Sequence, residues 1–375
     1  MPAAEEEPMN KRPISADSHI TEPPDCYIAN IDPKFRDRAP HIVHDPARGD
    51  TFVVEGLKTT VPLGLIAAAG KSAEQLQLGG TTFADLHRGG WDPKARLADQ
   101  DRDGVAAEMI YPSVGMLLCN STDLDYKRAC MQAYNRWLQG FCEGAADRLF
   151  GLGQTAVRTP AEGIADLREI KAMGFKGAML PGEPGVADYD HEMYDPFYEA
   201  AVDLGLPLSF HILTSGRDSL ASPRGNRLNA WHAIIRGCQD IMGLFVFGGV
   251  FERHPKLKVV CVEADAGWVP HFLYRMDHGY KRHRHWMQGK ELSKLPSEYF
   301  LENIYLTFQD DWTAFKVASM CNVERLMWAN DFPHSDSTWP WSQELLAEHT
   351  ADMSARDRDR IVHDNCAELY GLTVQ

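Results

Sequence analysis

None of the 8 cysteines stands in a CxxC pair or clusters with another. That excludes a disulfide frame and a zinc knuckle. The thiols read as scattered small apolar fillers in a reducing compartment. Long apolar runs are missing too, and nothing approaches the ~18 uninterrupted apolar residues of a membrane span. The opening stretch MPAAEEEPMNKRP has no basic region followed by an apolar run. No secretory signal is read there, residues 1–12 are expected to be a mobile tail, and the protein is expected to be cytoplasmic. Positive charge is scarce: 38 Lys and Arg against 53 Asp and Glu give a net charge of -15. Such a chain repels nucleic acid and anionic membranes, which leaves a small molecule as the expected partner. There is no low-complexity linker, no solenoid repeat, and no glycine-rich dinucleotide fingerprint after the first apolar run.

What the sequence does have is rhythm. Short apolar runs recur at 12–19, 105–113, 149–156, 174–181, 206–212, 257–265, 303–308 and 325–331. Their length and composition suit strands buried on both faces. Helical spacing fills 123–146, 160–173, 196–204, 229–254, 267–287, 313–321, 342–353 and 356–370. In the first of these, Tyr126, Cys130, Tyr134, Trp137, Leu138 and Phe141 form one stripe. Eight strands alternating with helices predict a (β/α)8 barrel over residues 13–375, with an open doubly wound sheet as the alternative. About ninety residues separate the first two runs, where a helix alone needs far fewer. Residues 40–85 are therefore expected to be an insertion covering the mouth, with a hairpin at 51–62.

Barrel enzymes carry their chemistry at the C-terminal ends of strands. The first run ends Asp17-Ser18-His19, the fifth ends in His211, the sixth ends Glu263-Ala264-Asp265, and the eighth ends Asn330-Asp331. Asp17 and His19 are two apart on a strand and share a face. With His211 and Asp331 they offer two nitrogens and two oxygens, a set suited to one divalent ion such as Zn, Mn or Fe. A water on that ion would become acidic.

The segments ISADSHITEP, GLPLSFHI, HPKLKVVCVEADAGWVPHFLYRMD, RLMWANDFPHSDSTWP and HDNCAELYG carry a further signal. Together they resemble the amidohydrolase-related branch typified by aminocarboxymuconate semialdehyde decarboxylase and γ-resorcylate decarboxylase. The resemblance implies Asp17 and His19 as strand-one metal ligands and His211 as the strand-five ligand. It also implies Asp331 as the strand-eight ligand and proton shuttle. Two-metal members often carry a carboxylated lysine after strand four; here that strand ends Ala178-Met179-Leu180-Pro181, and Lys176 lies near its start. A single metal is expected. The decarboxylase-like relatives usually carry a histidine after strand six, where this chain has Glu263. That glutamate reads as a base, an added ligand, or half of a salt bridge.

Other residues are open between chemistry and packing. His334 lines the pocket or caps its loop. Trp339 and Trp341 offer an aromatic wall to a planar substrate or pack the last loop. Arg217, Arg224 and Arg227 follow strand five, and Arg217 is the candidate to pair with a substrate carboxylate. His278, His283 and His285 suggest a second metal but lack one-face spacing, and read better as a basic surface or a subunit contact. The resemblance also implies a homo-oligomer, a homodimer or larger.

The leading expectation is hydrolysis of a small organic acid, lactone or amide by metal-activated water, with Asp331 as base and then acid. The second is non-oxidative decarboxylation of an aromatic or unsaturated acid. An iron-dependent oxygenase is a third, and a catalytically dead binding barrel a fourth.

Overall fold

The computed structural model describes residues 11–58, 60–216 and 224–374. Most of the expected tail at 1–12, and Arg217, lie outside the described residues. In chain order the strands are β1 (Ile14–His19), β2 (His41–Asp45), β3 (Gly49–Val53), β4 (Val61–Pro62), β5 (Ala107–Tyr111) and β6 (Leu149–Gly151). There follow β7 (Gly153–Gln154), β8 (Ala178–Met179), β9 (Leu208–His211), β10 (Val259–Val262), β11 (Ile304–Phe308) and β12 (Leu326–Trp328). β6 and β7 are one barrel position, interrupted at Leu152.

The eight barrel positions lie in chain order around a parallel sheet. β1 pairs with β5 and β5 with β6; β7, β8, β9, β10, β11 and β12 pair successively. The ring closes where the amide of Asp331 donates to the Asp17 carbonyl at 3.1 Å, and that of Asn330 donates to Ser15 Oγ at 2.9 Å. The fold is the expected (β/α)8 barrel. Its strands are buried throughout, as parallel strands between a filled interior and an outer ring of helices must be.

Local signals set the helices. Asp92 accepts from the Lys94 and Ala95 amides to open Pro93–Asp103, and Gly104, at φ 70°, ends it. Asp123 caps Leu124–Glu143, whose buried face carries Tyr126, Cys130, Tyr134, Leu138 and Phe141. The single helix expected at 229–254 is broken into Ala230–Ala233, Arg236–Phe247 and Val250–Arg253. The reason for the last break is local: Gly249 adopts φ 70°, and a side chain on Gly248 would strike Asp190 at 2.2 Å.

Within the segment expected as an insertion, β2, β3 and β4 form a three-stranded antiparallel sheet. The expected hairpin is the β3–β4 pair, Thr51 against Pro62 and Phe52 against Val61; β2 widens it. This segment grips the strand-eight loop: the Ala68 and Ala69 amides donate to the Pro333 carbonyl, and the Ser335 amide to that of Leu65. Phe52 is fully buried and meets Tyr27 edge-on at 6.3 Å. Phe52→Ala is expected to destabilise the protein by about 3–5 kcal/mol in chemical denaturation, because it leaves a cavity.

None of the eight cysteines, all of them described residues, forms a disulfide. Among the described residues, no helix is long and apolar enough to cross a membrane.

Candidate metal centre

Five strand-end side chains converge at the barrel mouth. His19 Nε2 lies 3.4 Å from Asp17 Oδ1, 3.4 Å from Asp331 Oδ1 and 3.6 Å from Glu263 Oε2. His211 Nε2 lies 3.2 Å from Glu263 Oε2 and 3.6 Å from Asp17 Oδ2. The two Nε2 atoms are 3.2 Å apart. Asp17, His19, His211 and Glu263 form one set with donor atoms within 4.8 Å of one another, and His19, Glu263, Asp331 and His334 form an overlapping set. Of the four ligands expected from sequence, Asp17, His19 and His211 share the first set. Asp331 joins through His19 and Glu263.

Backbone geometry aims these groups. The pairing register of β1 with β5 shifts between Ser15 and Ser18, next to Asp17. Glu263 at φ 56° and Asp331 at φ 50° take left-handed conformations that side-chain-bearing residues avoid. Each costs about 1–3 kcal/mol, and such strain collects at functional sites.

The donor chemistry fits a divalent cation. His19 donates from Nδ1 to the Pro112 carbonyl at 2.8 Å, and His211 from Nδ1 to the Ile212 carbonyl at 3.0 Å. Both rings thus turn Nε2 toward the cluster, as backbone-anchored metal histidines do. Both oxygens of Asp17, both of Asp331, and Glu263 Oε2 are buried without a hydrogen-bond partner. Buried charges are paired or coordinate metal, and a cation held among these groups would answer that need. The cluster is a divalent metal-binding site.

Crowding distorts the titrations. Burial would raise Asp17, but the His211 and His19 imidazoles outweigh it and hold its carboxyl well below the usual range. Burial would lower His19, yet Asp17 and Glu263 push it up to about 9. Asp331 is driven well above the carboxylate range, first by burial and then by Glu263 and Asp17. His334 is pushed well below the imidazole range by burial, then by His19 and His211. The metal-free cluster therefore holds protons that a cation must displace. Below about pH 9 His19 is protonated, and a cation takes only its neutral form. Mn2+ affinity is expected to rise with pH between about 6 and 9, by up to about tenfold per unit. Calorimetry in buffers of different ionisation enthalpy will count the released protons; flat affinity with no release would remove His19 from the set.

His334 stacks on His19 at 3.8 Å, and its Nδ1 lies 3.0 Å from Asp331 Oδ1. Ser113 donates its one hydroxyl proton to the Ile20 carbonyl at 2.6 Å, so its Oγ accepts from His334 Nε2 at 2.8 Å. In neutral His334 this leaves Nδ1 bare and facing Asp331. Sequence reading passed over Ser113, although it closes the 105–113 run and the strand-end rule applies to it.

The remaining candidates are dispersed. Trp339 is buried against Phe332 at 5.4 Å and His87 at 5.0 Å, with its indole N–H on the Asp99 carbonyl at 3.1 Å. Trp341, Arg224 and Arg227 are exposed. Lys176 Nζ sits over the Phe150 ring, 5.6 Å from its centre. Among the described residues no metal-suited grouping forms at His278, His283 and His285. A cavity of about 610 Å³ lined by Glu183, Asp188, Asp190 and Lys290 opens outside the cluster, and no cluster residue lines it. The partnerless donors, rather than the size of that cavity, locate the chemistry.

A parallel barrel with a buried two-histidine, three-carboxylate cluster at its mouth defines a metal-dependent barrel enzyme. A family model described as Amidohydrolase matches residues 24–372, and the chain belongs to that family. The match begins just after Asp17 and His19. The 2-amino-3-carboxymuconate-6-semialdehyde decarboxylase of Dictyostelium discoideum is 24% identical over 213 residues, 55% of this chain and 56% of that protein. The chain thus matches about half the length of that relative. An amidohydrolase of Mycobacterium avium subsp. paratuberculosis superposes with a TM-score of 0.79 at 21% identity, covering 96% of this chain and 100% of that one. A 5-carboxyvanillate decarboxylase from Novosphingobium aromaticivorans, with bound manganese and 3-methoxy-4-hydroxy-5-nitrobenzoic acid, superposes with a TM-score of 0.70 at 20% identity. That alignment covers 97% of this chain and 98% of that one. At these identities the likeness shows the fold.

Proposed function

We propose that the protein catalyses non-oxidative decarboxylation of a small aromatic or unsaturated carboxylic acid, with manganese as the favoured metal. One observation carries this reading. The buried cluster, with five partnerless carboxylate oxygens and two inward Nε2 atoms, sits on a barrel shared with a manganese-binding decarboxylase. The similar curated relative is also named a decarboxylase. Hydrolysis, placed first on sequence grounds, now stands second.

A divalent ion, when bound, would supply positive charge to draw in a carboxylate substrate and offset the charge left as carbon dioxide departs. Asp17, His19, His211 and Glu263 would hold it, with Asp331 beside them. Asp331 is the proton donor. Its carboxyl, buried beside the cluster and 3.4 Å from His19 Nε2, would deliver a proton to the carbon that loses the carboxylate. His334 Nδ1, bare and 3.0 Å away, orients that carboxyl. The 40–85 segment, bonded through Leu65, Ala68 and Ala69 to the strand-eight loop, would help keep bulk water from the reacting carbon.

The test is a panel of phenolic and dienoic acids supplied to manganese-loaded protein in deuterated water. Carbon dioxide release, with one deuterium at the vacated carbon, is expected. Turnover that consumes water and releases no carbon dioxide would establish hydrolysis instead. Oxygen uptake with bound iron would establish oxidation.

A further inference from the structure

Arg96 is fully buried on the helix Pro93–Asp103, behind the metal cluster and outside it. Its Nε donates to Glu108 Oε2 at 2.5 Å. One terminal nitrogen donates to the His19 carbonyl at 2.8 Å and the Gly89 carbonyl at 3.2 Å. The other reaches the Phe332 carbonyl at 3.3 Å. The guanidinium plane lies over the Phe332 ring, 4.4 Å from its centre. So one planar cation holds the backbone of a candidate ligand on β1 and of the residue after Asp331 on the strand-eight loop. The Phe332 carbonyl also accepts the His19 amide at 2.7 Å.

We infer that Arg96 is a positioning residue for the metal centre. It fixes the spacing between the Asp17–His19 pair and Asp331 by clamping the His19 and Phe332 carbonyls. The physical case rests on shape. A guanidinium presents donors in a rigid fork, so one side chain can serve several carbonyls at set angles. A lysine in the same place keeps the charge against Glu108 but cannot span both carbonyls from one point. Seam geometry matters here because the barrel closes between β1 and β12 at the cluster itself. A loosened seam moves Asp331 relative to His19.

Arg96 can be separated from a merely structural residue because its neighbour Gln100 shares its anchor but not its carbonyls. Gln100 Nε2 donates to the same Glu108 Oε2 at 2.7 Å and otherwise reaches only the Arg148 carbonyl. The inference rests on the metal reading above. Its measurement is the Mn2+ dissociation constant of the full chain, with the melting temperature of the metal-free form recorded in parallel. Arg96→Lys is expected to weaken Mn2+ binding by about 10–100-fold, the range for partners that orient metal ligands. Gln100→Ala is expected to lower the melting temperature and leave the dissociation constant within about twofold of wild type. Should Arg96→Lys fail to fold, Glu108→Gln loosens the same guanidinium without removing it, and its remaining amide oxygen keeps an acceptor for Asn330 Nδ2, which lies 3.4 Å from Glu108 Oε1. It is expected to weaken Mn2+ by several-fold. Unchanged Mn2+ affinity in the folded Arg96→Lys protein, or in Glu108→Gln when Arg96→Lys does not fold, would overturn the inference. So would a loss in Gln100→Ala equal to that in Arg96→Lys. Wild-type protein that binds no Mn2+ would overturn the metal reading as well, and so tells the two failures apart.

Discussion

His211→Ala is expected to take the protein from about one divalent ion per chain to almost none, with the barrel still folded. His211 is the only cluster residue from β9, and its Nε2 faces both Glu263 and Asp17. Without it, two carboxylates confront each other across a hole with one imidazole left to balance them. Loss of a partner that merely orients a ligand typically weakens binding 10–100-fold; loss of the ligand itself should cost at least about 100-fold. After dialysis, elemental mass spectrometry will read this as a near-zero metal ratio, with circular dichroism confirming the fold. A metal ratio equal to wild type would take His211 out of the set. Wild-type protein without metal, even after metal is supplied, would end the metal reading.

Asp331→Asn carries the second large effect. The amide keeps the shape of the side chain, and the backbone link from residue 331 to the Asp17 carbonyl is unaffected. It cannot carry the transferable proton. Turnover is expected to fall by about 10²–10⁴-fold, the range for loss of a positioned acid, with KM changed far less. Stability moves the other way. The folded Asp331 carboxyl titrates well above its unfolded value. Such a group opposes folding once the pH exceeds the unfolded pKa of about 3.9, and the opposition grows until the folded pKa is passed. With chelator present, Asp331→Asn is therefore expected to melt above wild type at neutral pH and to converge with it in acid. A variant that keeps full turnover would remove Asp331 as the proton donor.

Much of this molecule was legible before folding. All eight barrel positions appear as short apolar runs because each strand is buried on both faces. Strand ends then named Asp17, His19, His211, Glu263 and Asp331, and the fold brings all five together. The failures have physical causes. The helix Pro93–Asp103 carries the polar string PKARLADQDRD, and its buried residues are Arg96, Gln100 and Asp103. An apolar periodicity search passes over a helix whose inward face is charged. The same blindness hid Arg96. Glu263 was visible, but ligand, base and salt bridge could not be ranked, because the choice depends on the left-handed turn that swings it between two imidazoles. Trp339 stayed open between a wall for a planar substrate and packing of the last loop. Its indole N–H holds the Asp99 carbonyl, a contact between residues 240 apart in sequence that no local pattern reveals.

The closure of the barrel between β1 and β12 also sets a schedule for biosynthesis. The partners Ser18 and Asn330, beside His19 and Asp331, are 312 residues apart in sequence. At about 5–20 residues per second of synthesis, roughly 16–60 s pass between the emergence of the two halves of the site. Through that interval the nascent chain carries Asp17 and His19 with nothing to close them against. Any stop before strand eight yields a chain that owns four of the five clustered side chains and cannot close them against Asp331. On the proposed ligand set, loading with metal would be among the last events in the making of this protein.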